Sequence, residues 1–260
     1  MPNISKIVVK DVGQANWIEL LDENDIVRVV FDMGMPRTEK TAIVNAKISN
    51  LYATQNDKPI FVLSHWHADH YHAILALKSN ISNYFSKVIY PTPTPTNVKS
   101  NELNALFNSL GNNNSPEKLG SANASYLIKD ANTTIGITNV SLYKSKNIGI
   151  ENNRCLSLIV TTKKNICFLT GDMKYDFIYE IMKNKYPNDS RNLILIVPHH
   201  GGAAGTIETS QNSKFSRAII SVGANNTYRH PIKEVIKSFK NKTIIECTCN
   251  NNGQDIPINL

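Results

Sequence analysis

Three imidazoles and one carboxylate stand within six residues in His65-Trp66-His67-Ala68-Asp69-His70, directly behind the apolar run Ile60-Phe61-Val62-Leu63. Neutral imidazole and carboxylate are the ligands that zinc and similar borderline divalent ions take up. His65 and His67, at i and i+2, share a face while the backbone is still extended. Asp69 and His70 follow the turn and are placed to reach a second ion beside the first. A lone histidine is more often a hydrogen-bonded core or surface residue than a ligand. The crowding argues otherwise, and so does the census: all seven histidines (His65, His67, His70, His72, His199, His200 and His230) fall in or beside three short clusters.

Three other strand-like runs end in polar clusters: Asp32-Met33-Gly34 after Phe31, Gly171-Asp172 after Thr170, and His199-His200-Gly201 after Pro198. Ligands at the ends of neighbouring strands converge on one edge of a sandwich, which is what a two-metal site requires. Asp172 is the natural bridge, because its two oxygens can serve two ions ~3.5–4 Å apart. Alone it would read as an ordinary turn aspartate.

The elements that must position these groups follow from period and turn chemistry. Residues 4–11, 15–22 and 26–32 read as three strands, joined by turns at Gly13-Gln14 and Asp22-Glu23-Asn24-Asp25. A helix over 41–53, a strand over 59–64 and a helix through Ile74, Leu75 and Leu77 follow. Pro91-Thr92-Pro93-Thr94-Pro95-Thr96 is extended. With a helix at 102–110 and a loop at 111–116, it makes 92–124 an excursion walling the active site, or a plain connection. Strands at 125–129, 133–143, 154–161 and 165–170, a helix at 175–184, and strands at 193–197 and 217–222 come next. A helix at 232–239 and a last strand at 243–247 complete the chain. Strands then helices, twice over, predict an α+β protein: an αββα four-layer sandwich with residues 1–260 as one domain.

Hydrophobic content of 41% and charged content of 19% are those of a globular chain. No stretch approaches the ~20 apolar residues that span a bilayer, and residues 1–10 carry no apolar signal core. The expectation is a soluble, cytoplasmic protein without a membrane partner. Net charge is +7, with lysines spread along the chain, which suits an anionic partner or an ordinary basic surface. The four cysteines (155, 167, 247 and 249) form no Cys-x-x-Cys pair, so reduced core thiols are expected, with a disulfide or a zinc–thiolate site the lesser alternative.

His-x-His-x-Asp-His is the signature of the metallo-β-lactamase superfamily, which this chain resembles. The finer resemblance is to the metallo-β-lactamase-like domain of the ComEC-type DNA-uptake channel proteins and their free-standing relatives. It is carried by Asp11-Val12-Gly13-Gln14, Asn152-Asn153-Arg154-Cys155-Leu156, Leu169-Thr170-Gly171-Asp172, His199-His200-Gly201, and Ser221-Val222-Gly223-Ala224-Asn225-Asn226 with His230-Pro231. The chain departs from the family at Ala15 and Tyr71-His72-Ala73, where glycines are usual, and it has no histidine between His72 and His199.

The resemblance implies a hydrolase with two divalent ions, zinc or manganese. His65, His67 and Asp172 would hold the first ion, with water or a weaker ligand such as Asn153 in place of the missing histidine. Such ligation favours manganese. Asp69 and His70 would hold the second, with His199 or His200. Adjacent strand-end residues point oppositely, so the other of the pair is left for substrate phosphate. Asp32 would support the histidine turn, and Asn226 would serve substrate or support. Asp69, His200 and His230 are the catalytic candidates, His230 as general acid or phosphate ligand, or else a helix-cap residue. Trp66 and His72 read as packing or rim. The expected activity is phosphodiester hydrolysis by a metal-bound hydroxide, on nucleic acid or a nucleotide. The alternatives are a metal-binding effector subunit without turnover, and a hydrolase of small esters or thioesters.

Overall fold

The structure is a computed structural model that describes residues 2–36, 39–78, 81–92, 94–110, 117–119, 126–129, 136–145, 155–224, 226–240, 242–251 and 253–260. Its strands are β1 (Ile4–Val9), β2 (Trp17–Asp22), β3 (Val27–Met33), β4 (Ile60–Val62), β5 (Lys87–Pro91), β6 (Glu117–Leu119) and β7 (Tyr126–Lys129). They continue as β8 (Val140–Ser145), β9 (Leu156–Thr161), β10 (Asn165–Leu169), β11 (Asn192–Ile196), β12 (Phe215–Ile220), β13 (Ile244–Cys247) and β14 (Ile256–Asn259). The helices are α1 (Thr41–Ile48), α2 (Ala68–Tyr71), α3 (Val98–Asn108), α4 (Tyr175–Lys185), α5 (Thr209–Asn212) and α6 (Lys233–Ser238).

Two sheets form, in the orders β14-β1-β2-β3-β4-β5-β6 and β13-β12-β11-β10-β9-β8-β7. Each sheet is antiparallel at one side and parallel at the other. In the first, β14, β1, β2 and β3 pair antiparallel while β3, β4, β5 and β6 run parallel. In the second, β7 through β10 pair antiparallel and β10 through β13 run parallel.

Three cores divide the layers, and the period-2 pattern of the strands assigns each face. Leu158 and Val160 of β9, Cys167 and Leu169 of β10, and Ile194 and Ile196 of β11 meet Ile7, Ile18, Val29 and Val62 of the first sheet between the two sheets. The alternate residues Ile159, Ile166, Phe168, Leu193 and Leu195 face outward against Tyr175, Ile178 and Met182 of α4 and Val235 of α6. On the other side Trp17, Phe61 and Tyr90 pack against Ile48, Tyr52, Leu103 and Phe107 of the helical layer. The order is helix, sheet, sheet, helix, the αββα four-layer sandwich expected from the sequence. In α4, burial at 175, 178, 179 and 182 gives the one-sided stripe of a covering helix, with Asp176 in its first turn and Lys183 and Lys185 in its last.

The structure corrects the sequence reading in four places. Residues 92–124 are not wholly an excursion, because β6 joins the first sheet and α3 drives Leu103, Leu106 and Phe107 into the core. The chain does not end its strands at β13, since β14 pairs with β1 and closes the sheet edge. The short run β5 is a core strand between β4 and β6. Cys247 and Cys249 form a disulfide, because the turn at Thr248–Asn250 brings their Cα atoms to 5.1 Å. Cys155 and Cys167 are buried thiols outside any disulfide, as expected. Among the described residues no helix is long and apolar enough to cross a membrane.

Candidate metal centre

While Asn226 and His230 come from the loop that follows β12, the metal-ligand candidates and Asp32 lie at or just beyond the carboxyl ends of parallel-sheet strands. That is where open parallel sheets gather ligands. β3 delivers Asp32, β4 the histidine turn, β10 Asp172 and β11 the His199-His200 pair. A hydrogen bond from Leu156 N to Ser64 O at 2.8 Å ties the two sheets together at this edge. Another from His199 N to Gly171 O at 3.1 Å fixes the histidine pair to the Asp172 turn.

Two donor groups form there: His65, His67 and Asp172, and beside them Asp69, His70 and His200. Asp172 reaches both. Its Oδ2 is 3.4 Å from His65 Nε2 and its Oδ1 is 3.2 Å from His70 Nε2. His65, His70, Asp172 and His200 are almost wholly buried, while the His67, Asp69 and His199 side chains open to solvent.

The rings are aimed by their other nitrogens. His70 Nδ1 stands 2.7 Å from Asp32 Oδ2, and His200 Nδ1 donates to Ser221 O at 2.7 Å. Ser64 Oγ donates to Asp32 Oδ2 at 2.8 Å and so accepts from His65 Nδ1 at 3.0 Å. His199 Nδ1 donates to Ala203 O at 2.9 Å. Each of these rings spends Nδ1 on the protein and turns Nε2 inward. The buried Nε2 atoms of His65, His70 and His200, and Oδ1 of Asp172, have no hydrogen-bond partner. Buried polar atoms left so are costly, and as a set they fit divalent cations. Residues tethering each ligand from behind are the usual complement of such a centre.

Electrostatics agree. Burial favours the neutral carboxyl of Asp172, yet the His70 and His65 rings hold its pKa well below the carboxylate range. Asp69 is likewise lowered against burial by the His200 and His70 rings beside it. Burial and neighbouring His65 push His67 down to about 4, which leaves it neutral and able to ligate. Burial opposes protonation of His70, but Asp172 and Asp32 outweigh it and raise its pKa.

His199 and His200 part company for a reason other than strand alternation. Both are left-handed, at φ 53° and 54°, in a turn that follows β11. His200 enters the second group, whereas His199 faces Asp172 Oδ2 from 3.7 Å and meets His230 ring to edge at 5.7 Å. His230 is clasped by Asn226, which takes its N–H and donates to its carbonyl, both at 2.7 Å. Burial, then His199 and His200, lower the His230 pKa and favour its neutral form. Trp66 packs edge-on to Tyr90 and donates to Pro91 O, and His72 lines the cleft. Asn153 lies outside the described residues.

The centre opens into a cleft of about 570 Å³ walled by His67, His199, His230, Tyr228, Asn97 and Lys99. Sequence reasoning missed Ser64, Asn16, Ser221, Thr248, Lys99 and Tyr228. Their roles depend on neighbours elsewhere in the chain, which the sequence does not show.

No protein-family model matches the chain. A stretch of 104 residues, 40% of this chain, is 35% identical to ComE operon protein 3 of Bacillus subtilis (strain 168), and it spans 13% of that protein's length. Among solved structures, human tRNase Z, short form (ELAC1), is similar with a TM-score of 0.44 and 12% identity, over 74% of this chain and 76% of that one.

Proposed function

We propose that the chain is a divalent-metal-dependent phosphodiester hydrolase acting on nucleic acid or a nucleotide. The observation that carries this reading is the set of partnerless buried atoms, Nε2 of His65, His70 and His200 with Oδ1 of Asp172, next to His67, Asp69 and His199 in the lining of an open cleft. His65, His67 and Asp172 would hold one ion, and Asp69, His70 and His200 the other, with Asp172 shared. His199, on the same Asp172 oxygen as His65, stands in for the histidine missing between His72 and His199. Ions bound there supply Lewis acidity to a phosphoryl oxygen and to water. Asp32, Ser64 and Ser221 orient the ligand rings. His230, whose pKa is lowered by burial and by His199 and whose Nδ1 is unpartnered, is the group assigned to bind the substrate phosphate beside the ions. Zinc and manganese both suit this donor set. The net charge of +7 favours an anionic substrate over a neutral ester.

Metal content of protein purified without chelator is the test, paired with hydrolysis of bis(p-nitrophenyl) phosphate. Close to two ions per chain, lost in Asp172→Ala together with turnover, is the expected result. Ions retained with no turnover under zinc or manganese would overturn the hydrolase reading in favour of a binding subunit.

A further inference from the structure

Tyr228 is exposed by 68%, and every other Phe, Tyr or Trp whose side chain is described is buried or half-buried. An exposed aromatic ring at the lip of a polar centre has no packing reason to be there. Its ring lies nearly parallel to His230, at 19° and 5.9 Å between centroids, and His230 in turn abuts His199. The three rings form a ladder from the ligand groups to solvent. The loop is held from beneath, because Thr227 N donates to Gln14 Oε1 at 3.3 Å and Asn226 clasps His230. Tyr228 also belongs to two clefts. It lines the one over the metal centre and an adjoining one of about 680 Å³ bounded by Gly13, Met35, Pro36 and Gly223. Gln14 and Asp69 line both as well, so a ligand crossing the centre from one cleft to the other passes the Tyr228 ring. Arg229 is exposed beside it, and Lys99 stands in the wall of the first cleft.

We infer that Tyr228 is the stacking platform for an unpaired nucleobase of a single strand that crosses the centre. The inference rests on the phosphodiesterase reading and deepens it. A flat, solvated ring beside cations matches the way single strands are held, by base stacking plus backbone charge. A base within a duplex offers no free face to such a ring. Tyr228 is therefore a binding residue, and its hydroxyl is dispensable.

The test is fluorescence anisotropy of a labelled single-stranded oligodeoxynucleotide on the metal-loaded protein. Binding is compared for wild type, Tyr228→Ala and Tyr228→Phe, and for a strand of equal length with abasic sites. Equal metal content of the variants guards against misfolding. Tyr228→Ala should weaken binding about 5- to 150-fold, Tyr228→Phe should stay within about twofold of wild type, and wild type should bind the abasic strand as weakly as the alanine variant binds the intact one. Equal binding by wild type and Tyr228→Ala, or indifference of wild type to missing bases, would overturn the inference. So would failure of wild type to bind any strand while hydrolysing bis(p-nitrophenyl) phosphate, which leaves the hydrolase standing. Absence of that hydrolysis with ions bound is the separate failure of the underlying reading.

Discussion

Asp32 Oδ2 stands 2.7 Å from His70 Nδ1, and this contact decides which nitrogen the ring presents to the candidate metal site. The same carboxylate takes hydrogen bonds from Ser64 N, Ser64 Oγ and Asn16 Nδ2. Asp32 is left-handed at φ 58°, a conformation that asparagine tolerates. Asp32→Asn therefore keeps the backbone while setting an amide donor against existing donors. Metal affinity should fall about 10- to 100-fold, read by competition with a chromogenic chelator. An unchanged affinity would remove Asp32 from the orienting role.

Gly34 is where the histidine turn is pressed against the end of β3. A Cβ at Gly34 would meet Asp69 O at 1.7 Å and Asp69 C at 2.5 Å, both backbone atoms. Asp69 O also accepts from Asn16 N at 2.9 Å, so it has no slack to move. Gly34→Ala should cost more than about 3 kcal/mol by displacing the ligand turn, and the protein that folds should carry less metal. A melting temperature and metal content equal to wild type would refute this account.

Much of the candidate site was legible in the sequence because its donor side chains cluster: His65 to His70 within one turn, and His199 with His200. Strand ends could be read from apolar runs such as Leu193–Val197. What was hidden depends on partners distant in the chain. β14 carries Pro257 and reads as a tail until β1 offers it an antiparallel edge. Nothing local marks Ser221, whose carbonyl, not its side chain, engages His200. The His199-His200 turn defeated strand alternation because two consecutive non-glycine residues adopt positive φ, a cost tolerated where surrounding contacts over-determine it. The Cys247–Cys249 bond joins residues two apart, closer than Cys-x-x-Cys spacing.

Thr248 clamps the strand end that aims His200. Its Oγ1 accepts from Val222 N and donates toward Val222 O, both at 2.9 Å, flanking the Ser221 carbonyl that holds His200 Nδ1. Thr248→Val preserves shape and orphans buried backbone groups, a loss of about 1–3 kcal/mol. Beyond that, one of two binding steps in a metal titration should weaken, because His200 serves only the second group. Equal weakening of both steps, or of neither, would break the link between Thr248 and His200.

Asp22 gives stability a pH dependence of known sign. Its side chain, 3% exposed, accepts from Asn24 N, Ile26 N and Arg28 Nε at 2.9, 3.1 and 2.7 Å. Burial raises its pKa, but the Arg28 hydrogen bond and the two backbone donors outweigh it, so the folded pKa lies below the ordinary value. A group depressed in this way stabilises the fold above its unfolded pKa of ~3.9, and the contribution fades as pH falls through the folded value. Asp22→Asn keeps an acceptor for the turn but loses the charge facing Arg28, which is left with Asp57. At pH 7 the variant should be less stable by about 1–3 kcal/mol, measured by urea unfolding. The gap should narrow below pH ~4 as the wild-type carboxylate takes up its proton. A gap that stayed constant or widened in acid would mean that the turn geometry, not the buried charge, carries the stability at Asp22.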